Sequence, residues 1–598
     1  MIENPLSHPV ERPVSDVIGD NILNNFSGAS IGYDFANSLS PMTPYPISMT
    51  RLSGAMRYNS TGLLEYAPEN NLPYSEAFDL WSPSGATVST NVILSPTGTL
   101  TADKIVETAT NALHRVFQSL TITDQVATFS CYAKAAERNW MALYTGSDFF
   151  MFDLANGVLG SNSGNIGLSA TITPADNGWY RCSVTSTYPS NGNTLIYISN
   201  SNSPTAYLGD GVSGLYVWGA QMERGAALRP YIPTNTTALY TPRFDYNPTT
   251  MQPRGYLMER QVTNLILQSN GFSTVSWTKA DTIITANNAI SPDGTMNADL
   301  LTEGAAGTAA IVQGSTGYVA NSIITESIYL KRGNHDWIRI KHTDGSSTDG
   351  ANVWFNLGTG QVGTIQLIGL GTGYTASIQP LLNGWYRCIV TGLPSAAATN
   401  AGILVSSAQG DLNGSRVNNG TRYQFGAQVE VGTCVTSLII TGTSTVTRSG
   451  DVAQRTLGSE YNQSEGTFFC ESESDDLLPV NVVAVDDNTT SNRMNLRLKE
   501  PNNSQFLVVT SGSVVANLTK PTVVAGQIYK MAATYKLNNF NFTRNGTTVL
   551  TDVSGTVPPT TIMRLGIDNS ISTGNLWIRK FAYWNYQRSN TDLVRITT

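Results

Sequence analysis

Charge is scarce in this sequence. Asp, Glu, Lys and Arg make up 13% of its 598 residues, and the formal net charge is −8. No cluster of Lys and Arg stands out, and binding to a phosphate backbone needs such a cluster, so no nucleic-acid partner is expected. Cysteine is nearly as scarce. There are five, odd in number and scattered, with no Cys-x-x-Cys pair; Cys131, Cys182 and Cys388 read as small buried hydrophobes rather than metal or catalytic thiols. Of the four His, His335 and His342 have no partners at metal-ligand spacing. No apolar run of about 18 residues occurs, and the first residues, Met1-Ile2-Glu3-Asn4-Pro5, do not build a basic-then-apolar leader, so neither membrane insertion nor a standard export signal is expected. No heptad pattern supports a coiled coil.

What is abundant is Gly, Ser, Thr, Asn, Val and Ile, a composition that suits strands and turns. Within it, Asn-Gly-Trp-Tyr-Arg-Cys occurs twice, at 177–182 and 383–388. Asn-Gly supplies the positive φ of a tight turn, and the residues after it alternate as on a half-buried strand. One face would carry Tyr180, Cys182 and Val184, the other Trp179, Arg181 and Ser183; Tyr386, Cys388 and Val390 repeat the scheme opposite Trp385 and Arg387. The repeat extends outward. Gly219-Ala220-Gln221-Met222-Glu223 returns as Gly426-Ala427-Gln428-Val429-Glu430, Ser130 to Lys134 with Trp140 as Ser327 to Lys331 with Trp337, and Asn71-Leu72 as Asn264-Leu265. Copies of about 190 residues are tandem domains, not solenoid repeats.

The predicted organisation is all-β. An extended, Pro-containing arm covers 1–55, two tandem jelly-roll-like sandwiches cover 56–242 and 263–450 with turn-rich linking residues 243–262, and a third sandwich covers 451–598. Gly28-Ala29-Ser30-Ile31-Gly32 satisfies the pattern of a nucleophile elbow but lies in the irregular arm; Gly358 to Gly363 satisfies a dinucleotide fingerprint but joins two strands with no helix to follow, and reads as a turn.

These residues carry a resemblance. The repeated motif with its Gly-Ala-Gln-Met/Val-Glu strand, together with Phe244 to Pro248, Gly255 to Glu259 and Thr263-Asn264-Leu265, resembles carbohydrate-binding-module-like sandwiches of bacteriophage tail and fibre proteins. The segments Lys530 to Lys536 and Arg579 to Trp584 resemble concanavalin A-like, laminin-G-type sandwiches. The resemblance implies a non-enzymatic virion protein, a tail fibre, spike or capsid decoration assembled in the host cytoplasm. It would join other virion proteins through the arm, form a homotrimer and bind host-surface polysaccharide. The alternatives are a polysaccharide-degrading tail enzyme and a secreted adhesin.

Trp179, Arg181, Glu223, Trp385, Arg387 and Glu430 are expected to be structural, with each Arg paired to the Glu of its own copy; the rival is sugar binding by Trp179 and Arg181 on an open face. Sugar contacts are placed on loops of the third sandwich, at Asp486, Asp487, Asn488, Asn502 and Asn503, whose side chains can exchange hydrogen bonds with hydroxyls. No catalytic residue, metal or cofactor is predicted. The pairs Asp475-Asp476 and Asp486-Asp487 are of a type that can hold calcium, with a solvated loop as the plainer reading.

Overall fold

The structure, a computed structural model, describes residues 27–598 apart from 39, 123–124, 147, 166, 189–191, 305–309, 317–319, 345–347, 398–399, 476–479, 500–501 and 569–574. Residues 1–26, nearly half of the proposed attachment arm, lie outside the described residues, as does Asp476. Strands dominate, as the composition requires, and among the described residues the one α-helix is Asn590–Thr597. The chain divides into two units, one of residues 52–54 and 66–241, the other of the remainder.

The smaller unit is the first copy. Two six-stranded antiparallel sheets face each other, and Ile105, Phe129, Met141, Phe152, Val184 and Ile196 fill the space between them. The repeated motif behaves alike in both copies. Asn177 and Asn383 adopt φ of 60° and 57°, followed by Gly178 and Gly384 at 77° and 76°, and each turn feeds a strand, Trp179–Tyr188 or Trp385–Leu393. Cys182 and Val184 enter the core, and Trp179 packs on the other side of its sheet against Trp218. Trp179 and Trp385 are each 1% exposed. Their indole N–H groups donate to the carbonyls of Leu94 and Ile290, both at 3.1 Å. All five cysteines are buried; burial pushes the Cys131 thiol up to about 12.

The second copy lies in the larger unit and repeats the two six-stranded sheets. Asn264 braces it. Its side chain donates to the Ala427 and Ile439 carbonyls and accepts from the amides of Ile266 and Val429. In the first copy this is done by Asn70, which donates to Ala220 and Ile232 and accepts from Leu72 and Met222. The match of Asn71 to Asn264 is therefore one residue out of register; two adjacent Asn made both alignments look alike in sequence.

The third sandwich is not built from 451–598 alone. Its eight-stranded sheet includes Ile31–Asp34 and the hairpin Arg243–Tyr246 with Pro253–Glu259; its seven-stranded sheet includes Ser48–Thr50. Ile31 to Asp34 and Tyr256 to Glu259 share one edge of the strand Asn575–Trp584, and Ser48 to Thr50 pairs Val452 to Gln454. Ile31, Tyr33, Phe35 and Ile47 are core residues of this sandwich. Residues 27–51 are thus part of a domain rather than an arm, and 243–259 is a paired hairpin rather than a linker. Pro41, Pro44 and Pro46, which suggested an extended segment, occupy the connection between the two N-terminal strands, where a missing N–H costs no ladder bond.

A buried ionic cluster joins these pieces within the larger unit. Arg243 bonds both Glu259 and Asp451; Arg51 reaches Asp451 at 3.1 Å and Arg448 reaches Glu259 at 3.0 Å. Ser437 donates to Glu259 through its amide at 2.6 Å and its hydroxyl at 2.7 Å. Burial alone would raise the Glu259 carboxyl, but Arg243 and Arg448 hold it down at about 2. Three guanidiniums share two carboxylates, so every buried charge has an opposite neighbour.

Candidate functional site

The outer face of one sheet of the first copy carries aromatic rings where an ordinary solvent face would be polar. In the strand Trp140–Thr145, Met141 and Leu143 point into the core, so Trp140, Ala142 and Tyr144 point out. The same alternation in the neighbouring strands sets Phe149, Met151, Leu195, Tyr197, Arg115 and Phe117 on that face. The registers Tyr144↔Phe149, Tyr144↔Leu195 and Phe117↔Leu195 align one row across four strands, about 14 Å at the usual strand spacing.

The rings hold each other in place. Tyr144 stacks on Phe149 with centroids 5.0 Å apart and lies 4.6 Å from Tyr197. The Arg115 guanidinium bonds the Tyr197 hydroxyl and sits 5.3 Å from that ring's centroid and 5.9 Å from Phe117. Met151, Ala142, Leu195 and Tyr197 form a buried floor; Trp140, Tyr144, Phe149 and Phe117 stand half-buried over it. Burial pushes the Tyr144 phenol up to about 12, so it stays a neutral donor and acceptor at ordinary pH. Packed rings of fixed orientation with a few hydroxyls and one guanidinium can stack on the apolar face of a sugar and hydrogen-bond its rim.

The second copy has the same backbone and different chemistry. Its strand registers put Lys341 where the first copy has Tyr144, Arg339 for Ala142, Asn352 for Phe149, Ser406 for Tyr197 and Val312 for Phe117. Trp337 keeps the place of Trp140. Trp354 is 1% exposed, its indole directed at the Asn413 carbonyl, 3.4 Å away.

The structural residues of the motif are placed otherwise than expected in one respect. Arg181 donates to Ser130 Oγ at 3.2 Å and lies over Tyr132, and Arg387 donates to Ser327 Oγ at 2.9 Å and lies over Tyr329. Neither forms the predicted ion pair. Glu223 takes the amide and guanidinium of Arg229, and Glu430 takes the amide and hydroxyl of Thr436. Each Glu therefore ties down the loop after its own strand. The sheet-face rival fails as well, since both Trp are buried.

The predicted sugar contacts of the third sandwich do not come together. Asp486 is 1% exposed and held by Arg564, whose other nitrogen donates to Asn488 Oδ1 at 2.8 Å. Asp487 caps its own loop, accepting from Thr489 and Asn492. Asn502 and Asn503 stand at the opposite end of the strand Arg493–Lys499, about 20 Å away by its length. The polar composition that flagged these loops serves turns and an ion pair.

One small pocket lies within the larger unit, where the second copy meets the third sandwich. It measures about 50 Å³ and is lined by Arg57, Tyr58, Asp245, Arg254, Tyr329 and Trp577, among others. That is room for about four waters and no sugar ring. Burial raises the Asp245 carboxyl, which accepts from Trp577 Nε1 at 2.7 Å and the Tyr58 amide at 2.7 Å. Arg254 lies 3.4 Å over the Trp577 ring and pairs with Glu473 and Asp475. These contacts make a rigid joint. Among the described residues no three His, Cys, Asp or Glu side chains gather as a metal-ligand set.

The fold and these faces define an all-β protein of tandem sandwiches. Solved structures similar to it include the tandem CBM22-1–CBM22-2 domain of Paenibacillus barcinonensis Xyn10C, at 9% identity and a TM-score of 0.20 over 64% of this chain and 100% of that one. Mouse laminin α1 domains LG4–5 match at 10% identity and 0.17 over 46% and 84%. Trypanosoma rangeli sialidase matches at 7% and 0.21 over 94% and 95%. No protein-family model and no curated protein matches the chain. Identities and scores this low add nothing to the residue geometry.

Proposed function

We propose that the protein is a non-catalytic glycan-binding component of a bacteriophage virion, and that the aromatic face of its first copy is a saccharide platform. The observation that carries the binding assignment is the half-buried group Trp140, Tyr144, Phe149 and Phe117 on a rigid sheet floor. Solvent faces of sheets are ordinarily polar, and a cluster of rings left open to water is the mark of a surface that meets a partner. The virion assignment is supported by the resemblance of the duplicated motif to phage fibre and tail sandwiches. Attachment then falls to residues 1–26, since 27–51 are built into the third sandwich, and trimer formation falls to the sandwich surfaces.

The full chain should bind neutral oligosaccharides on a glycan array, and Tyr144→Ala should weaken that binding strongly while residues 66–241 still melt cooperatively. Release of new reducing ends from host polysaccharide would replace this reading with a depolymerase, and absence of the labelled protein from purified particles would remove the virion assignment.

A further inference from the structure

The outer face of the second copy holds more positive charge than its carboxylates match. Glu303 is paired with the fully buried Arg422 and approached by Arg416, and Arg339 lies within reach of its charge. Glu303 bonds Arg422 and accepts the Ser407 amide at 2.8 Å, while Arg416 Nη1 stays 3.6 Å from it, beyond hydrogen-bond length. Of the other acids nearby, Asp336 pairs with Arg332 at 2.6 Å, and Asp411 accepts the amide and hydroxyl of Thr364, neutral donors that leave this one carboxylate to set against the guanidiniums. Burial pushes His335 down to about 4, so it adds no charge near neutrality. At the corresponding place in the first copy a single guanidinium, Arg138, faces two carboxylates, Glu107 and Asp210.

Polar atoms on this face are buried without hydrogen-bond partners: Arg339 Nε, Arg416 Nε and Nη1, Ser406 Oγ and Asn352 Oδ1. The Arg416 side chain is only 7% exposed. Ser406 pairs directly across from Arg339, so their unmet groups lie side by side. Gly414 packs on the Arg339 guanidinium so closely that a Cβ there would stand 2.9 Å from Nη1. A buried guanidinium N–H left without a partner is costly, and an anion is one group that would satisfy it. Trp337 stands two residues from Arg339 on the same face, about 7 Å along the strand.

We propose that this face binds an acidic saccharide, with Trp337 against the sugar ring and the Arg339 and Arg416 guanidiniums on its carboxylate. The proposal rests on reading these copies as glycan binders. It makes the tandem bispecific: rings for a neutral unit on the first copy, a guanidinium pair for an anionic unit on the second. Sulfate or phosphate esters share the anionic chemistry, and the test separates them.

Titration calorimetry of the full chain would use hexamers of galacturonate, glucuronate and N-acetylneuraminate, a sulfated hexasaccharide, inorganic phosphate and a neutral glucose hexamer. At least one carboxylate hexamer should bind, with affinity falling as salt rises. Arg339→Gln and Arg416→Gln should each weaken it tenfold or more, and Tyr144→Ala should leave it unchanged. Arg339→Gln, at a half-buried site, covers the case in which Arg416→Gln fails to fold. Carboxylate binding untouched by Arg339→Gln, or no carboxylate hexamer bound, overturns the proposal while neutral binding lost in Tyr144→Ala keeps the first-copy reading. Preference for the sulfated hexamer or for free phosphate also overturns the carboxylate assignment. Carboxylate binding that both Arg variants abolish, with no neutral hexamer bound, sustains it and removes the first-copy reading instead.

Discussion

The two copies agree where their chains must fold and differ where their sheets meet solvent. Asn177 and Asn383 turn alike, Trp179 and Trp385 bond equivalent carbonyls, and Arg181 and Arg387 bond the same Ser of a neighbouring strand. On the outer face, Tyr144 and Tyr197 stand opposite Lys341 and Ser406. The cores differ too, and at one pair of positions in polarity. Phe129 and Thr145 of the first copy are Glu326 and His342 in the second, facing each other at 3.7 Å. A residue present in both copies is explained by the scaffold, and a residue that differs on a shared backbone is where the copies acquired separate roles.

The comparison can be broken most strongly at the shared motif. Trp179→Ala and Trp385→Ala should each cost about 3–5 kcal/mol, as emptied indole sites do, and calorimetry should show each variant lowering the transition of its own unit. Costs differing by more than about 2 kcal/mol would end the equivalence of the scaffolds. A slightly smaller effect tests what only the larger unit has. Asp451→Ala removes a buried carboxylate shared by Arg51 and Arg243, leaving Arg243 with Glu259, and should cost about 3 kcal/mol or more there, leaving the melting of residues 66–241 unchanged.

On the faces, Tyr144→Ala should weaken a neutral oligosaccharide by about 2 kcal/mol, roughly 30-fold, whereas Lys341→Ala should leave that ligand unaffected. Equal losses would mean that both faces take the same sugar.

The most graded effect is that of pH. Burial raises the Glu326 carboxyl well above its ordinary 4.5, so its contribution is complete below that value and lost as pH rises. Burial pushes His342 from 6.5 to about 3, so its contribution is complete above 6.5 and lost as pH falls. The two slopes have opposite signs and offset each other above 4.5, which makes a plateau with His342 acting alone on its acid side, each slope being at most about 1.4 kcal/mol per pH unit. Melting of the larger unit against pH should show that plateau, and Glu326→Phe with His342→Thr, the first copy's residues, should flatten the shoulders. Unchanged shoulders would locate the titration elsewhere.

Much of the scaffold was legible because duplication marks what the fold needs: the Asn-Gly turns, the buried Trp and Cys positions and the Arg-bearing strand. The same emphasis on sameness hid the faces. Trp140, Tyr144 and Tyr197 alternate with core residues on strands apolar on both sides, a pattern that in an antiparallel sheet calls for a second covered or binding surface. Asp487 and Asn502 drew attention through polarity, which turns require anyway. The N-terminal strands escaped because their partners lie hundreds of residues away, and local periodicity carries no trace of such pairing.

That distant pairing governs how the chain can fold as it is made. Tyr33 seats beside Phe581, the hairpin at 253–259 beside Asn575 to Ile578. At about 5–20 residues per second, the early strands wait on the order of half a minute to two minutes for their neighbour to leave the ribosome. During that interval residues 66–241 can close their own core, while Ile31, Tyr33 and Phe35 remain an unpaired sticky edge. The strand Asn575–Trp584 acts as a clasp. A chain stopped short of residue 575 would therefore forfeit the seating of its early strands and of the hairpin together with this strand, and leave their apolar edges open.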